Sequence, residues 1–339
     1  MLNKIINMKM RKILKNEKYI SLIEFNTKRK SDIISRVKNK KYNVVINYGI
    51  VNNLRYVNKF HESVNSTISN GDIYVSCGET LEERRIRVRN KTPRGFKNFI
   101  RFVDFIYKRV FPKLPIIKKI YFLITKGHNR VISKAEILGR LYSCGFEIIE
   151  YFEYENLFYI ISRKISDPDY NLNASYSPIF NMKRVGYEGK IIGVYKLRTM
   201  YPFSEYLQDL IIKENKLAKS GKISNDYRIT TWGKICRRYW IDELPMIINF
   251  FKRDLNIVGV RPISKNYFDR YPLEIQKMRI KIKPGLIPPY YADLPKSFDE
   301  VIESERKYLK SRFKKPILTD VKYFYKSFVN IFLKGARSN

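Results

Sequence analysis

The stretch RRYWIDELP, residues 237–245, places two adjacent carboxylates, Asp242 and Glu243, just downstream of two arginines. Read alone, it is a helix start. Carboxylates in a first helical turn meet the positive end of the macrodipole. Pro245 is tolerated there, because the first-turn N–H groups have no intrahelical partner to lose. Arg237 and Arg238 would then be ordinary solvated cations. Only the neighbouring segments change that reading.

Upstream stand KRVGYEGKIIGVYKLRTM (183–200) and DYRITTWGKIC (226–236). Downstream follow NFFKRDLNIVGVRP (249–262), KIKPGLIPP (281–289) and ERKYLKSRFKKPILTDVKYF (305–324). In this order and spacing the segments resemble the bacterial sugar transferase family. These are monotopic polyprenyl-phosphate glycosyl-1-phosphate transferases. The motifs that carry the resemblance are Arg184-Val185-Gly186, Tyr195-Lys196-Leu197-Arg198-Thr199-Met200, Arg228-Ile229-Thr230, Asp242-Glu243-Leu244-Pro245, Ile257-Val258-Gly259-Val260-Arg261-Pro262 and Pro284-Gly285. The match runs over residues 177–339.

The resemblance implies an enzyme that moves a sugar 1-phosphate from a nucleotide sugar, expected to be a UDP-sugar, to a polyprenyl phosphate. The product would serve capsule, exopolysaccharide or glycoconjugate synthesis. It also implies a covalent route, with Asp242 as nucleophile and Glu243 as the second acid. Mg²⁺ held by Asp242 and Glu243 would bridge to the diphosphate. A carboxylate attacks an anionic diphosphate only where cations offset the repulsion. Arg237 and Arg261 fall on the family's phosphate-binding positions, and the arginine fork suits phosphate oxygens. Arg228 is assigned to the substrate with them. Lys196 and Arg198 alternate on a predicted strand and so share one face. That face either meets the substrate or is solvated surface.

The family carries a hydrophobic helix just before the R-V-G segment. Here that place holds SDPDYNLNASYSP, residues 166–178, a polar run that reads as a linker. The expected catalytic domain, 179–339, is therefore an α+β fold lacking the usual N-terminal membrane helix. Met246, Arg253, Val260 and Ile287-Pro288 stand where the family has Gln, Gly, Pro and Thr-Gly. Two aromatic and basic segments suit a membrane interface. Residues 321–334 put Val321, Phe324, Tyr325, Phe328, Val329, Phe332 and Leu333 on one helical face, which is assigned to the core with a lipid surface as the alternative. Residues 101–124 either lie on a membrane or dock against protein.

Upstream of the linker, residues 1–42 read as a basic lead-in, helical or loosely ordered. Residues 43–165 read as a partial α/β domain of Rossmann-like kind. YNVVINYGI (43–51) is a buried strand, residues 52–69 a helix, and NGDIYVSCGE (70–79) a turn and a second strand. Ser133 is the expected N-cap of a helix that Gly145 stops. Residues 146–164 read as a hairpin. This order resembles the second half of a class I methyltransferase. Residues 1–42 contain no glycine, so no glycine turn exists there to cradle a cofactor, and S-adenosylmethionine is not expected.

The chain of 339 residues carries 67 Lys and Arg against 32 Asp and Glu, a formal charge of +35. Such a field attracts nucleotide sugars, anionic membranes and nucleic acid alike. No nucleic-acid-binding motif accompanies it, so specific nucleic-acid binding ranks behind the transferase and behind a non-catalytic scaffold homologue. Three scattered cysteines offer no disulfide framework, and two histidines leave little for His-based metal sites. No apolar run approaches the ~20 residues of a spanning helix. The expected location is cytoplasmic, extended to peripheral attachment at the inner face of the membrane.

Overall fold

The computed structural model describes residues 1–13, 21–26, 34, 42–114, 116–170, 177–214 and 226–333. It divides into two compact units, Met1–Tyr176 with Met200–Arg228, and Ser177–Thr199 with Ile229–Asn339. Both mix helices with sheet.

In the first unit, strands β1 (Leu22–Phe25), β2 (Val44–Asn47), β3 (Ile73–Gly78), β4 (Phe146–Tyr154) and β5 (Leu157–Lys164) form one sheet in the order β1-β2-β3-β5-β4. β1, β2 and β3 run parallel, and β5 and β4 continue the sheet antiparallel. Successive side chains alternate between faces, and both faces are covered. Val44, Ile46, Ile73 and Val75 pack against Ile6 and Met10 of helix α1 (Leu2–Ile13). Val45, Tyr74 and Ile160 face the opposite core, with α2 (Val57–Asn65) and a later helix, Lys134–Ser143.

The predicted strands, the Ser133 cap and the Gly145 stop are present. The Ser133 side chain accepts the Glu136 N–H, and Gly145 takes φ +81°. The helical reading of the lead-in holds for α1, but the segment is part of the fold: α1 covers one sheet face and β1 pairs with β2. Residues 14–20, 27–33 and 35–41 of that segment, and residues 171–176 of the expected linker, lie outside the described residues.

The boundary of the second domain also differs from 179–339. Met200–Arg228 groups with the first unit, because Leu207 and Ile211 enter its core and Tyr201 and Tyr227 pack against it. Chain order along the first unit also includes α3 (Leu81–Lys91), α4 (Lys97–Phe105), α5 (Ile117–Thr125), α6 (Lys134–Ser143) and α7 (Gln208–Glu214).

The second unit holds an antiparallel pair, β6 (Ile179–Val185) and β7 (Ile191–Leu197), and a short parallel pair, β8 (Asn256–Val258) and β9 (Gly285–Ile287). Around them stand α8 (Thr231–Arg238), α9 (Ile247–Phe251), α10 (Leu273–Arg279), α11 (Phe298–Lys314) and α12 (Pro316–Phe328). Gly259 and Gly285 meet backbone to backbone: a Cβ on Gly285 would lie 2.1 Å from the Gly259 nitrogen. Only glycine allows the two motifs this approach.

The core assignment for the apolar face of 321–334 is overturned. Val321, Phe324, Tyr325, Phe328 and Leu333 are exposed. The inward face is Thr319, Tyr323, Ser327 and Asn330 instead. Tyr323 packs edge-on against Tyr308, and the Asn330 amide donates to the carbonyls of Tyr291 and Ala292. Among the described residues no helix is long and apolar enough to cross a membrane.

Candidate active site

The dyad lies on a 3-10 turn, Ile241–Met246, which runs into α9. Met246 anchors the turn in a small core with Val194 and Leu255, so this departure from the family's Gln serves packing. Trp240, just before the turn, adopts φ +56°, a left-handed conformation unusual for a bulky side chain. Its indole N–H donates to the Tyr291 hydroxyl, which helps hold that conformation. The buried Asn249 side chain fixes β7 beside the dyad. It accepts the Tyr195 N–H at 3.0 Å and donates to the Gly193 carbonyl at 2.7 Å.

The next residue on β7, Lys196, places its ammonium 2.6 Å from Glu243 Oε1. Arg261 reaches the same oxygen at 3.5 Å and is about half exposed. Its backbone carbonyl is gripped at 2.6 Å by Arg279, whose guanidinium is buried against Glu305. Arg237 donates to the Thr199 hydroxyl at 2.9 Å. Among the described residues Asp242 makes no ion pair within 4 Å, although Lys196 and Arg237 both act on its charge. Burial pushes the Asp242 carboxyl above the usual range, and the neighbouring Glu243 adds to that. Lys196 and Arg237 pull it back without cancelling the rise. The two acids are therefore unequal: Glu243 is clamped by cations and Asp242 is left for another partner.

Asp242, Glu243, Lys196, Arg237 and Arg261 thus converge. Two other predicted residues do not join them. The strand ends at Leu197, so Arg198 leaves the alternation, donates to the Ser177 carbonyl and lies over the Phe180 ring. Arg228 belongs to the first unit, where it is buried and bonded to both Asp226 oxygens and to Gln208. Its charge is already used.

The sequence reading used Arg184, on β6, as part of a motif but gave it no role at the site. Burial, followed by the nearby Arg261, lowers its pKa, and its guanidinium contacts are the Lys183 carbonyl and the Met182 sulfur. Two guanidinium groups close enough to repel form an electropositive spot beside the dyad. Asn249 and Tyr291 were also missed. A lone Asn in an apolar run carries no signal of its own, and Tyr291 acts through a partner 51 residues away.

Residues 170–334 match the family described as bacterial sugar transferase. That part of the chain belongs to this family. The chain is 33% identical over 135 residues to the galactosyl transferase CpsE of Streptococcus agalactiae, covering 39% of this chain and 30% of that protein. It is 36% identical over 113 residues to the undecaprenyl-phosphate galactose phosphotransferase of Salmonella typhimurium, covering 32% and 24%. It is 36% identical over 110 residues to the UDP-glucose:undecaprenyl-phosphate glucose-1-phosphate transferase of Escherichia coli, covering 32% and 22%. The chain spans less than a third of the length of each of these relatives. An O-methyltransferase family protein from Burkholderia thailandensis aligns with a TM-score of 0.26 at 10% identity over 44% of this chain and 45% of its own, too distant to carry a fold argument.

Within the sugar transferase region, Arg253 takes φ +63°. This is the position where the family resemblance has Gly, and a left-handed residue with a Cβ costs about 1 kcal/mol. Arg253→Gly is expected to stabilise the protein by about 0.5 kcal/mol, after the added chain entropy of glycine is deducted. A thermal melt showing a lower Tm would contradict this.

Proposed function

We propose that this protein is a phosphoglycosyl transferase that moves a sugar 1-phosphate from a UDP-sugar to a polyprenyl phosphate in surface-polysaccharide synthesis. The observation that carries the reading is the unequal dyad: Glu243 is held by Lys196 and Arg261, while Asp242, partly buried, has no ion-pair partner within reach among the described residues.

In the first step an Asp242 Oδ attacks the phosphorus that bears the sugar. The bond from that phosphorus to the bridging oxygen breaks, and uridine monophosphate leaves with the electron pair. The enzyme keeps a sugar phosphate as a mixed anhydride with Asp242. In the second step an oxygen of polyprenyl phosphate attacks the same phosphorus, the Asp242 bond breaks, and a polyprenyl diphosphosugar forms. Arg237, Arg261 and Lys196 offset the charge that gathers on the phosphoryl oxygens. Raising the Asp242 pKa by burial makes its carboxylate more basic and a better nucleophile, at the cost of a smaller ionised fraction in acid.

Asp242, together with the Glu243 oxygen not engaged by Lys196 and Arg261, would hold Mg²⁺, which usually takes one or two protein carboxylates and completes its shell with substrate phosphate and water. Such an ion would withdraw charge from the diphosphate. Exposed Trp232 and Ile235 on α8, Leu244 on the dyad's own turn, and Ile247 and Phe251 on α9 favour peripheral contact with the membrane that holds the acceptor. The first unit, with its parallel strands and antiparallel hairpin, fits a Rossmann-like remnant.

The test is release of uridine monophosphate from UDP-sugar with polyprenyl phosphate and Mg²⁺ present. Lys196→Ala is expected to lower kcat/KM by about 10- to 100-fold, the loss of one charged contact to the reacting phosphate and its dyad. The acid limb of the pH profile is expected above the ordinary aspartate value of about 3.9, because Asp242 must be ionised to attack. No monophosphate release from any UDP-sugar would remove the reading.

A further inference from the structure

Helices α4 and α5 of the first unit turn apolar side chains outward. Phe99 and Phe102 on α4 are 66% and 63% exposed, and Leu123 and Ile124 on α5 are 79% and 67% exposed. Ile116 and Ile120 add to the same surface stretch of chain. On α5 only Tyr121 is deeply buried. An ordinary surface helix shows the reverse arrangement, polar side out. Scattered exposed apolar residues need no explanation, but a run of this size on adjacent elements does.

Charge selects among the occupants. Residues 94–126 contain nine Lys and Arg against a single acid, Asp104. Asp104 is already bonded twice to Arg84, at 2.7 Å each. Arg101, Lys118, Lys119 and Lys126 are exposed among the apolar groups. A second copy of a chain with formal charge +35 would approach this face against like charge. Nucleic acid would answer the cations but not the aliphatic Ile116, Ile120, Leu123 and Ile124, which offer bases no stacking platform. An anionic lipid surface answers both, taking apolar groups into the acyl boundary and cations at the headgroups.

We infer that the face made by α4, the turns after it and α5 is a docking surface for an anionic lipid bilayer. It lies wholly in the first unit, outside the sugar transferase region, and stands whether or not the transferase reading holds. The basic side chains supply attraction from a distance, and Phe99, Phe102, Leu123 and their neighbours supply burial once contact is made. Lysine stems among them let the apolar groups sink while each ammonium stays wet.

The experiment uses the full chain with vesicles of phosphatidylcholine containing about 30% phosphatidylglycerol, against phosphatidylcholine alone. The three native cysteines are buried, so Leu123→Cys can be labelled selectively with an environment-sensitive fluorophore. The expected result is a blue-shifted, brighter emission with anionic vesicles and little change with neutral ones, reversed by high salt. In flotation, the double variant Phe102→Ser/Leu123→Ser is expected to partition about 100-fold less, from roughly tenfold per large apolar side chain lost. Two results would overturn the inference. One is a probe at position 123 that stays silent with anionic vesicles. The other is emission already blue-shifted without lipid and dependent on protein concentration, which would mean that protein covers this face. Monophosphate release is read separately, so failure here leaves the transferase reading to its own assay.

Discussion

Asp242→Asn should reduce uridine monophosphate release by at least about 1,000-fold, the scale on which loss of an attacking side chain is felt. Asparagine fills nearly the same volume but offers no anionic oxygen to phosphorus. Lys196, Arg237 and Arg261 remain, with one fewer carboxylate to neutralise, so affinity for the nucleotide sugar should hold or tighten. That split separates nucleophile loss from site collapse, and a calorimetric titration reads it. Stability supplies a second control. The Asp242 carboxyl is pushed up by burial in the folded state. A carboxyl raised on folding binds its proton more tightly in the native protein, so it favours folding in acid. Its ionisation costs stability as pH rises from the unfolded value through the folded one. At neutral pH that cost is fully present. Asparagine removes it, so the variant should melt at the same temperature or higher. A dead variant with a lower Tm would point to a structural role for Asp242. Wild-type activity in the variant would end the covalent proposal.

The same residues show what a sequence can and cannot disclose. The run YNVVINYGI was legible because a strand covered on both faces is mostly apolar, and β2 is buried at all four positions, three of them aliphatic. Ser133 and Gly145 were legible because caps act locally. β1 was not: its four residues, Leu22–Phe25, become a strand only by pairing with β2, a partner well separated in sequence. At the site, adjacency carried the dyad, and the ordered motifs brought in Arg237 and Arg261. Arg228 shows the limit. An arginine awaiting a phosphate and one sealed in an ion pair look alike in a sequence. The only local hint was Asp226 two residues earlier, now its bidentate partner. Lys196 and Arg198 show another. Alternation predicts a shared face only while the strand lasts, and this one stops between them. For residues 321–334, amphipathic spacing identified the face but not its direction. The polar side turned inward because Asn330 and Tyr323 found partners there.

Glu305→Ala should destabilise the protein by about 3–5 kcal/mol, the usual result of leaving one member of a buried ion pair alone. The Arg279 and Glu305 side chains are only 4% and 1% exposed. Deleting the carboxylate strands a guanidinium that cannot shed its charge. The consequence should extend to the site, because that guanidinium also bonds the Arg261 carbonyl at 2.6 Å and so sets the turn from which Arg261 reaches Glu243. Where the variant remains folded, KM for the nucleotide sugar should rise more than kcat falls, since Arg261 keeps its charge but loses its fixed position. Pairing Glu305→Ala with Arg279→Met removes the stranded charge and should recover much of the stability, as buried pairs replaced by apolar side chains often do. It should not recover the KM, because methionine offers the Arg261 carbonyl no donor. Urea unfolding of the two single variants and the double variant closes the thermodynamic cycle. A coupling near zero would show that the pair is structurally inert. Recovery of KM along with stability would show that the buried pair matters to the site only through folding, and that Arg261 is positioned by something other than its bond to Arg279.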